Sequence, residues 1–338
     1  MKIQIRTAIG VGLLALALSI PASAQTKTGT TVGQFLLIEP SARMAGMGNA
    51  GVASFDEITA AYYNPGAIGH MPSSDVQFTH SSWLAGITYN YLGAGIRLGS
   101  VNTLFLSLTS LNSGEIDVRT VEQPLGTGER YTVQNVALGL GYARRITDRF
   151  SAGVQVNYVR ETIWHSSMSA VGFNFGVLYE LPFRAYLGAS LVNFGTRGRF
   201  DGRDLRIRYD QDPSRFGDNS NLPAALTTED FPLPVLFRVG LGVPFNLGPH
   251  NSAQFVVSAY QPSDNTQSVS LGGEWTFLDL LSVRGGYQHM WQRDAETGLT
   301  LGAGLKYDVS RFGFRFDYGW NSYGRLDNVQ RFTLGLSF

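Results

Sequence analysis

The residues whose types could support catalysis or hold a metal are few in this sequence and stand far apart. The five histidines are His70, His80, His165, His250 and His289, and none is spaced from another as the ligands of a metal site are. The chain has no cysteine, so it offers no thiol nucleophile, thiolate ligand or disulfide. His165 stands near Glu161 and His289 near Asp294, but proximity in sequence defines no mechanism. The sequence therefore predicts no catalytic residue, no metal site and no cofactor.

Three glycines, Gly46, Gly48 and Gly51, have the spacing of a dinucleotide-binding fingerprint. That fingerprint binds a nucleotide only where it follows a strand and opens the helix of a βαβ unit, and the surrounding pattern predicts neither. The glycines fit close packing of one backbone against another instead. The chain carries 26 basic and 26 acidic residues, so no excess of positive charge points to nucleic acid as a partner.

A long stretch over residues 196–234 mixes acidic and basic residues. Asp210 and Asp212 have a spacing found in calcium loops, but Pro213 and the interleaved arginines do not fit one. One interpretation is a solvated loop. The other is a recognition surface, because binding residues concentrate on loops of rigid scaffolds. The apolar anchors of such a partner-binding loop would be Phe200, Phe216, Leu222 and Phe231.

The elements that position these residues begin with an export signal. Lys2 and Arg6 precede an apolar run over residues 8–20, and small residues follow it. This pattern predicts a cleavable signal peptide over residues 1–24. The run is shorter than the roughly 20 residues that a membrane-spanning helix needs, so any later crossing must be made by strands.

From residue 74 to the end, apolar residues recur at every second position, which predicts β-strands. Phe312, Phe314 and Phe316, for example, alternate with Gly313 and Arg315. About fourteen strands start near residues 75, 86, 101, 131, 149, 168, 183, 235, 252, 267, 281, 298, 311 and 329. Most have about the 9–11 residues that a tilted strand needs to cross a bilayer. Charged residues make up 15% of the chain, against about 25% in an average soluble domain.

The links between these strands alternate in length. Short links are predicted at residues 99–100, 147–148, 182, 244–249, 278–279 and 310, and longer ones at 112–130, 163–167, 196–234, 261–266, 293–297 and 321–328; a short turn near residue 82 is the exception. Outer-membrane barrels have short periplasmic turns and longer external loops. The sequence therefore predicts an all-β transmembrane antiparallel barrel in the cell outer membrane. A soluble β-sandwich is the weaker alternative, because its outer face would need charge.

One face of each strand is then expected to contact lipid and the other to face the lumen. Aromatic residues near the strand ends suit the membrane interfaces, whereas charges would be costly on the lipid side. The charges expected to line the lumen are Arg97, Arg238, Glu274, Arg284, Arg315 and Asp317. Paired across the interior they would rigidify and block the barrel, and unpaired they would line a polar path. We favour the first interpretation, because both signs occur on facing strands.

Residues 25–73 lie outside this periodicity and are rich in Ala, Met and Gly, which predicts a plug or hatch that folds into the lumen or against its periplasmic mouth. Within it, the stretches FLLI at 35–38, SARMAGMGNA at 41–50 and AAYYNPGAIG at 60–69 resemble the PorV/PorQ group of outer-membrane proteins, related in architecture to FadL. The resemblance covers residues 34–70. Its motif residues here are Arg43, Gly46, Met47, Gly48, Asn64 and Pro65; Gly66-Ala67 departs from the usual Pro-Ala-Gly order.

The resemblance implies a FadL-like barrel that acts in the type IX secretion system without being an enzyme. Its partners would be secretion components, cargo with a C-terminal signal domain or surface-attachment proteins, besides outer-membrane lipid. The PorV-like and PorQ-like roles both stay open. FadL-like transport of hydrophobic small molecules is the alternative function, and a barrel hydrolase is a distant third.

Overall fold

The computed structural model describes residues 27–212, 214–215, 217, 221–292 and 295–338. The predicted signal peptide, residues 1–24, lies outside them. Within the described residues, fourteen long strands pair with their neighbours in antiparallel fashion, and the first of them also pairs with the last. The predicted closed barrel of about fourteen strands is confirmed.

The strands begin close to where the alternating pattern predicts them. The first half of the wall contains β1 (Asp75–Ser82), β2 (Thr88–Leu98), β3 (Asn102–Asp117), β4 (Arg130–Thr147), β5 (Phe150–Ile163), β6 (Ser166–Glu180) and β7 (Tyr186–Gly195). Three short strands, β8 (Asp201–Gly202), β9 (Arg206–Tyr209) and β10 (Leu222–Ala225), lie in the link that follows. The second half contains β11 (Leu236–Gly248), β12 (Asn251–Pro262), β13 (Ser268–Phe277), β14 (Leu281–Met290), β15 (Leu299–Val309), β16 (Phe312–Ser322) and β17 (Asn328–Ser337).

The outward face of the wall is apolar. On β4, Leu138 and Leu140 are 54% and 67% exposed, whereas the intervening Gly139 faces inward against side chains of the neighbouring strands. Similar exposed leucines, phenylalanines and valines follow the outside of the other barrel strands. Such a surface is unfavourable in water but matches the hydrocarbon of a bilayer.

The two ends of the barrel differ in the length of their links. One end, here called the turn end, carries the short connections and the final residue, Phe338, whose amide donates to the carbonyl oxygen of Ser74 at 2.9 Å. The other, the loop end, carries the links at 83–87, 118–129, 164–165, 196–235, 263–267, 291–298 and 323–327. In outer-membrane barrels, the end with the longer links faces the cell exterior.

Three predicted links are wrong in detail. The link expected from residue 112 begins at residue 118, because β3 continues to Asp117. The short link expected at 244–249 begins later, because β11 continues to Gly248. Pro244, which has no N–H to donate, lies beyond Gly242, where the pairing of β11 with β7 ends. The link expected over 163–167 is a two-residue turn at Trp164 and His165, because β5 and β6 both extend further than their apolar alternation does.

Residues 32–71, here called the inner segment, lie inside the barrel. They form two short helices, α1 (Ala42–Gly46) and α2 (Ala60–Tyr63), and 3-10 turns at Gln34–Leu37, Gly51–Ala53 and Pro65–His70. Helix α1 packs on β15 and β16, while Pro65–His70 packs on β4, β5 and β6 across the lumen. No helix of the described chain is long and apolar enough to span a membrane.

The inner segment runs from one end of the barrel to the other. Directly before its start, the Thr31 hydroxyl donates to Asp264 in a loop-end link at 2.9 Å. At its finish, His70 Nδ1 lies 2.7 Å from the hydroxyl of Ser151, near the turn end of β5. The chain therefore enters at the loop end, passes down the lumen and joins β1 at the turn end.

Candidate functional site

The inner segment is anchored around helix α1. Ser41 caps this helix by accepting a hydrogen bond from the amide of Met44 at 3.1 Å, and the same hydroxyl donates to Glu57 at 2.7 Å. The cap fixes where α1 begins and, with it, the direction in which Arg43 leaves the helix.

Arg43 is at the centre of a buried group of charges and is only 6% exposed. Its Nε and one terminal nitrogen donate to both carboxylate oxygens of Glu274 on β13, at 2.9 and 2.7 Å. Its other terminal nitrogen donates to Asp56 at 2.6 Å. Burial alone lowers the pKa of this guanidinium, but the surrounding carboxylates outweigh burial and raise the pKa above its ordinary value. Arg43 therefore stays charged and ties the inner segment to the wall.

Ion pairs extend from Arg43 into the neighbouring strands. Arg284 on β14 donates to Glu274 at 2.6 Å and contacts Asp317 on β16 at 2.6 Å. Arg315 on β16 donates to Glu57 of the inner segment at 2.9 Å. Four of the six residues expected to line the lumen thus meet in one cluster. A cavity of about 260 Å³ opens beside this cluster at the turn end.

The other two expected lumen residues lie apart from this cluster. Arg238 is 1% exposed and donates to the carbonyl oxygen of Tyr62 at 2.8 Å, with its guanidinium over the Tyr62 ring. Arg97 is half-buried at the turn end of β2, where it donates to the carbonyl oxygen of Pro72.

The glycines of the motif lie where the inner segment touches the wall. A Cβ on Gly46 would lie 2.9 Å from the Cα of Gly302, and one on Gly48 would lie 2.5 Å from the carbonyl oxygen of Leu271. Gly48 also has φ +65°, a conformation that side chains disfavour. Met47, between them, is fully buried. These contacts leave no room for larger residues at either glycine.

Asn64 and Pro65 join the inner segment to the opposite wall. The Asn64 side chain caps the following turn by accepting from the amide of Gly66 at 3.0 Å. Its amide group donates to the carbonyl oxygens of Val52 and Val177, at 3.0 and 2.9 Å. Pro65 occupies the first position of the 3-10 turn, where a missing N–H costs nothing.

Three of the four expected partner-binding residues, Phe200, Leu222 and Phe231, lie within the described residues. Phe200 and Phe231 are half-buried and pack against the core cluster that includes Phe35 and Leu233. Leu222 begins β10, which pairs with β9 in a hairpin. Phe216 lies outside the described residues.

A cavity of about 600 Å³ opens at the loop end above the inner segment. Its floor includes Phe35, Ile38 and Glu39, and its walls come from the links at that end, with Trp83 and Tyr323 among them. We call this cavity the bowl. The sequence analysis did not identify Glu39, Asp56 or Glu57 as site residues. The signal that could have identified them is that these carboxylates lie in an otherwise apolar segment, while arginines are predicted to line the lumen around it.

A closed fourteen-stranded barrel with its N-terminal segment inside the lumen defines a FadL-like transmembrane β-barrel protein. The fold is similar to solved structures of a Pseudomonas aeruginosa FadL homologue (TM-score 0.54, 12% identity, 88% of this chain and 98% of that chain) and of the CymD monoaromatic hydrocarbon channel (TM-score 0.55, 12% identity, 89% and 98%). It is likewise similar to the Pseudomonas putida toluene transporter TodX (TM-score 0.54, 12% identity, 89% and 98%).

Residues 21–177 match the family model of the type IX secretion system protein PorV. The match contains the whole stretch 34–70, so the resemblance to the PorV/PorQ group is confirmed. The family and the structural neighbours are a secretion protein and transport channels rather than enzymes. Comparison with curated proteins found no match.

Proposed function

We propose that this protein is a non-enzymatic component of type IX secretion that holds protein partners at the loop end of a blocked barrel. The single observation that carries the proposal is the anchored inner segment beneath an open bowl. Beside the inner segment, a gap lined by Tyr91, Ser107 and Gln155 has a volume of only about 30 Å³. That volume holds about two water molecules. The loop end, by contrast, offers a wide cavity and long links.

The PorV match supports a partner that is a protein. Cargo with a C-terminal signal domain and surface-attachment proteins are the two partner classes that the resemblance implies. The long link at 196–235 is the second surface available to them, because its β9–β10 hairpin carries exposed Arg206 and Arg208.

A pull-down tests the proposal. An affinity tag inserted in the exposed 118–129 link would recover the full chain from envelope extracts. We expect secreted proteins with C-terminal signal domains, or surface-attachment proteins, to co-purify. Replacing residues 206–225 by a short Gly-Ser linker should reduce the yield of partner while the barrel keeps its heat-modifiable gel shift. Recovery of lipid alone would contradict the proposal.

Transport of hydrophobic small molecules is the second candidate function. Its support is that the structural neighbours include a monoaromatic hydrocarbon channel and a toluene transporter, together with the apolar part of the bowl. This function predicts that deleting residues 25–60 changes the uptake of a hydrophobic tracer by whole cells. Unchanged uptake would count against it.

A further inference from the structure

The bowl has an unusual combination of side chains. Aromatic rings of Phe35, Trp83, Tyr260 and Tyr323 line it. Four carboxylates, from Glu39, Glu161, Asp264 and Glu296, reach the same cavity, and its described lining contains no lysine or arginine. Carboxylates beside aromatic faces form the environment that a guanidinium or ammonium group prefers.

Three of these carboxylates already have partners. Asp264 accepts hydrogen bonds from Thr31 and Gln34, at 2.9 and 2.6 Å. Glu296 forms an exposed pair with Arg325. Glu161 has the backbone amide of Gly33 as a neighbour. These three carboxylates make the walls of the bowl negative, but their hydrogen-bond acceptors already have partners within the protein.

Glu39 differs from them. It is 7% exposed and lines the bowl, and no other described residue donates a hydrogen bond to its carboxylate or forms an ion pair with it. A carboxylate buried to this degree is costly unless something donates to it. The unfilled acceptor positions of Glu39 therefore face the cavity.

Two buried arginines in this part of the barrel, Arg331 and Arg238, do not fill these positions. Arg331 donates to the backbone oxygen of Glu39 at 3.1 Å and to Asn321 at 2.6 Å, and its guanidinium lies over Trp83. Arg238 donates to the carbonyl oxygen of Tyr62. Nε of Arg238 and one terminal nitrogen of Arg331 have no hydrogen-bond partner among the described residues, and neither arginine forms an ion pair with Glu39, so the oxygens of Glu39 stay open.

We propose that the bowl binds an apolar, extended peptide segment through one basic side chain, arginine or lysine, that pairs with Glu39 and stacks on the neighbouring aromatic rings. The inference rests on the proposed partner-binding function and names the chemistry of the partner. A fatty-acid anion is disfavoured in the same place, because its carboxylate would enter a cavity that four other carboxylates line.

Paired peptides test the inference on the full chain in detergent micelles. One fluorescent five-residue peptide has arginine between valines and leucines, and the other has citrulline, which keeps the shape and loses the charge. By fluorescence anisotropy we expect at least about tenfold tighter binding of the arginine peptide, as for a hydrogen bond between charged groups. Glu39→Gln should abolish this preference and Glu39→Asp should retain part of it. Glu129→Gln, in the exposed 118–129 link, is the matched control and should leave the preference unchanged.

Several outcomes overturn the inference. One is equal affinity of the unmodified protein for the two peptides. Another is an undiminished preference for the arginine peptide in folded Glu39→Gln. A third is binding of a fluorescent fatty acid as tightly as the arginine peptide. If the pull-down recovers secretion partners but no preference for arginine is found, this inference alone fails. If the preference depends on Glu39 but no protein partner is recovered, the bowl is a cation site and the proposed function fails.

Discussion

Replacing Arg43 by methionine should release the inner segment from the wall while the barrel strands stay paired. Methionine occupies a similar volume but cannot donate to Glu274 or Asp56, which Arg43 contacts at 2.6 to 2.9 Å. The substitution therefore removes the central cation of the buried cluster and leaves the packing of α1 largely in place.

The free-energy cost of releasing the inner segment depends on which ion-pair partners each carboxylate retains when Arg43 is replaced. Removing one partner of a buried ion pair costs about 3–5 kcal/mol. Glu274 keeps Arg284 at 2.6 Å, and Glu57 keeps Arg315 at 2.9 Å, so the lower end, about 3 kcal/mol, applies. Since about 1.4 kcal/mol is a factor of ten, opening of the inner segment should become about a hundredfold more frequent.

Hydrogen exchange measured by mass spectrometry on the protein in micelles reports this opening directly. The amide of Gly48 donates to the hydroxyl of Thr300 at 2.9 Å and that of Asn49 to the carbonyl oxygen of Met44 at 2.7 Å, so both should lose protection. The amides of β15 and β16 should keep their protection from exchange. Arg325→Met breaks an exposed pair and is the matched control, with no expected change. Equal protection in Arg43→Met and the unmodified protein would refute the reasoning.

Three further predictions concern packing, the lipid face and pH. Gly48→Ala should destabilise the protein by at least about 1–2 kcal/mol in urea titrations, because φ is +65° and a carbonyl oxygen lies 2.5 Å from the new Cβ. The control Gly285→Ala, whose new Cβ meets nothing within 4 Å, should leave the stability unchanged. Leu138→Arg, on the apolar outside of β4, should cost about 2–4 kcal/mol in refolding into liposomes, and Leu125→Arg, on an exposed link, should cost nothing; equal effects would contradict a lipid-facing Leu138. Burial lowers the pKa of His70, so the folded state binds a proton at His70 more weakly than the unfolded chain does. The protein should therefore lose stability as pH falls below about 6.5, and this loss should be smaller in His70→Gln. Identical profiles of stability against pH in the two proteins would contradict this prediction.

The strands could be predicted because their signal is local. In β16, for example, the alternation of Phe312, Gly313 and Phe314 is visible within three residues and needs no knowledge of the partner strand. The links that were wrong, at 112–130, 163–167 and 244–249, lie at strand ends, where the backbone stays paired after the apolar alternation stops. Pairing at such ends depends on the neighbouring strand, which the sequence of one strand does not contain.

The sequence alone determined the two-faced strands, their number and the presence of a non-periodic segment before them, because side chains in a strand alternate between lipid and lumen at every second position. Only the tertiary structure decided that Arg43 meets Glu274, 231 positions along the chain, and that Glu39 faces the bowl without a partner among the described residues. The inner segment has no hydrophobic period that fixes its path. Its route through the lumen, and so the meeting of these charges, depends on the closed wall around it.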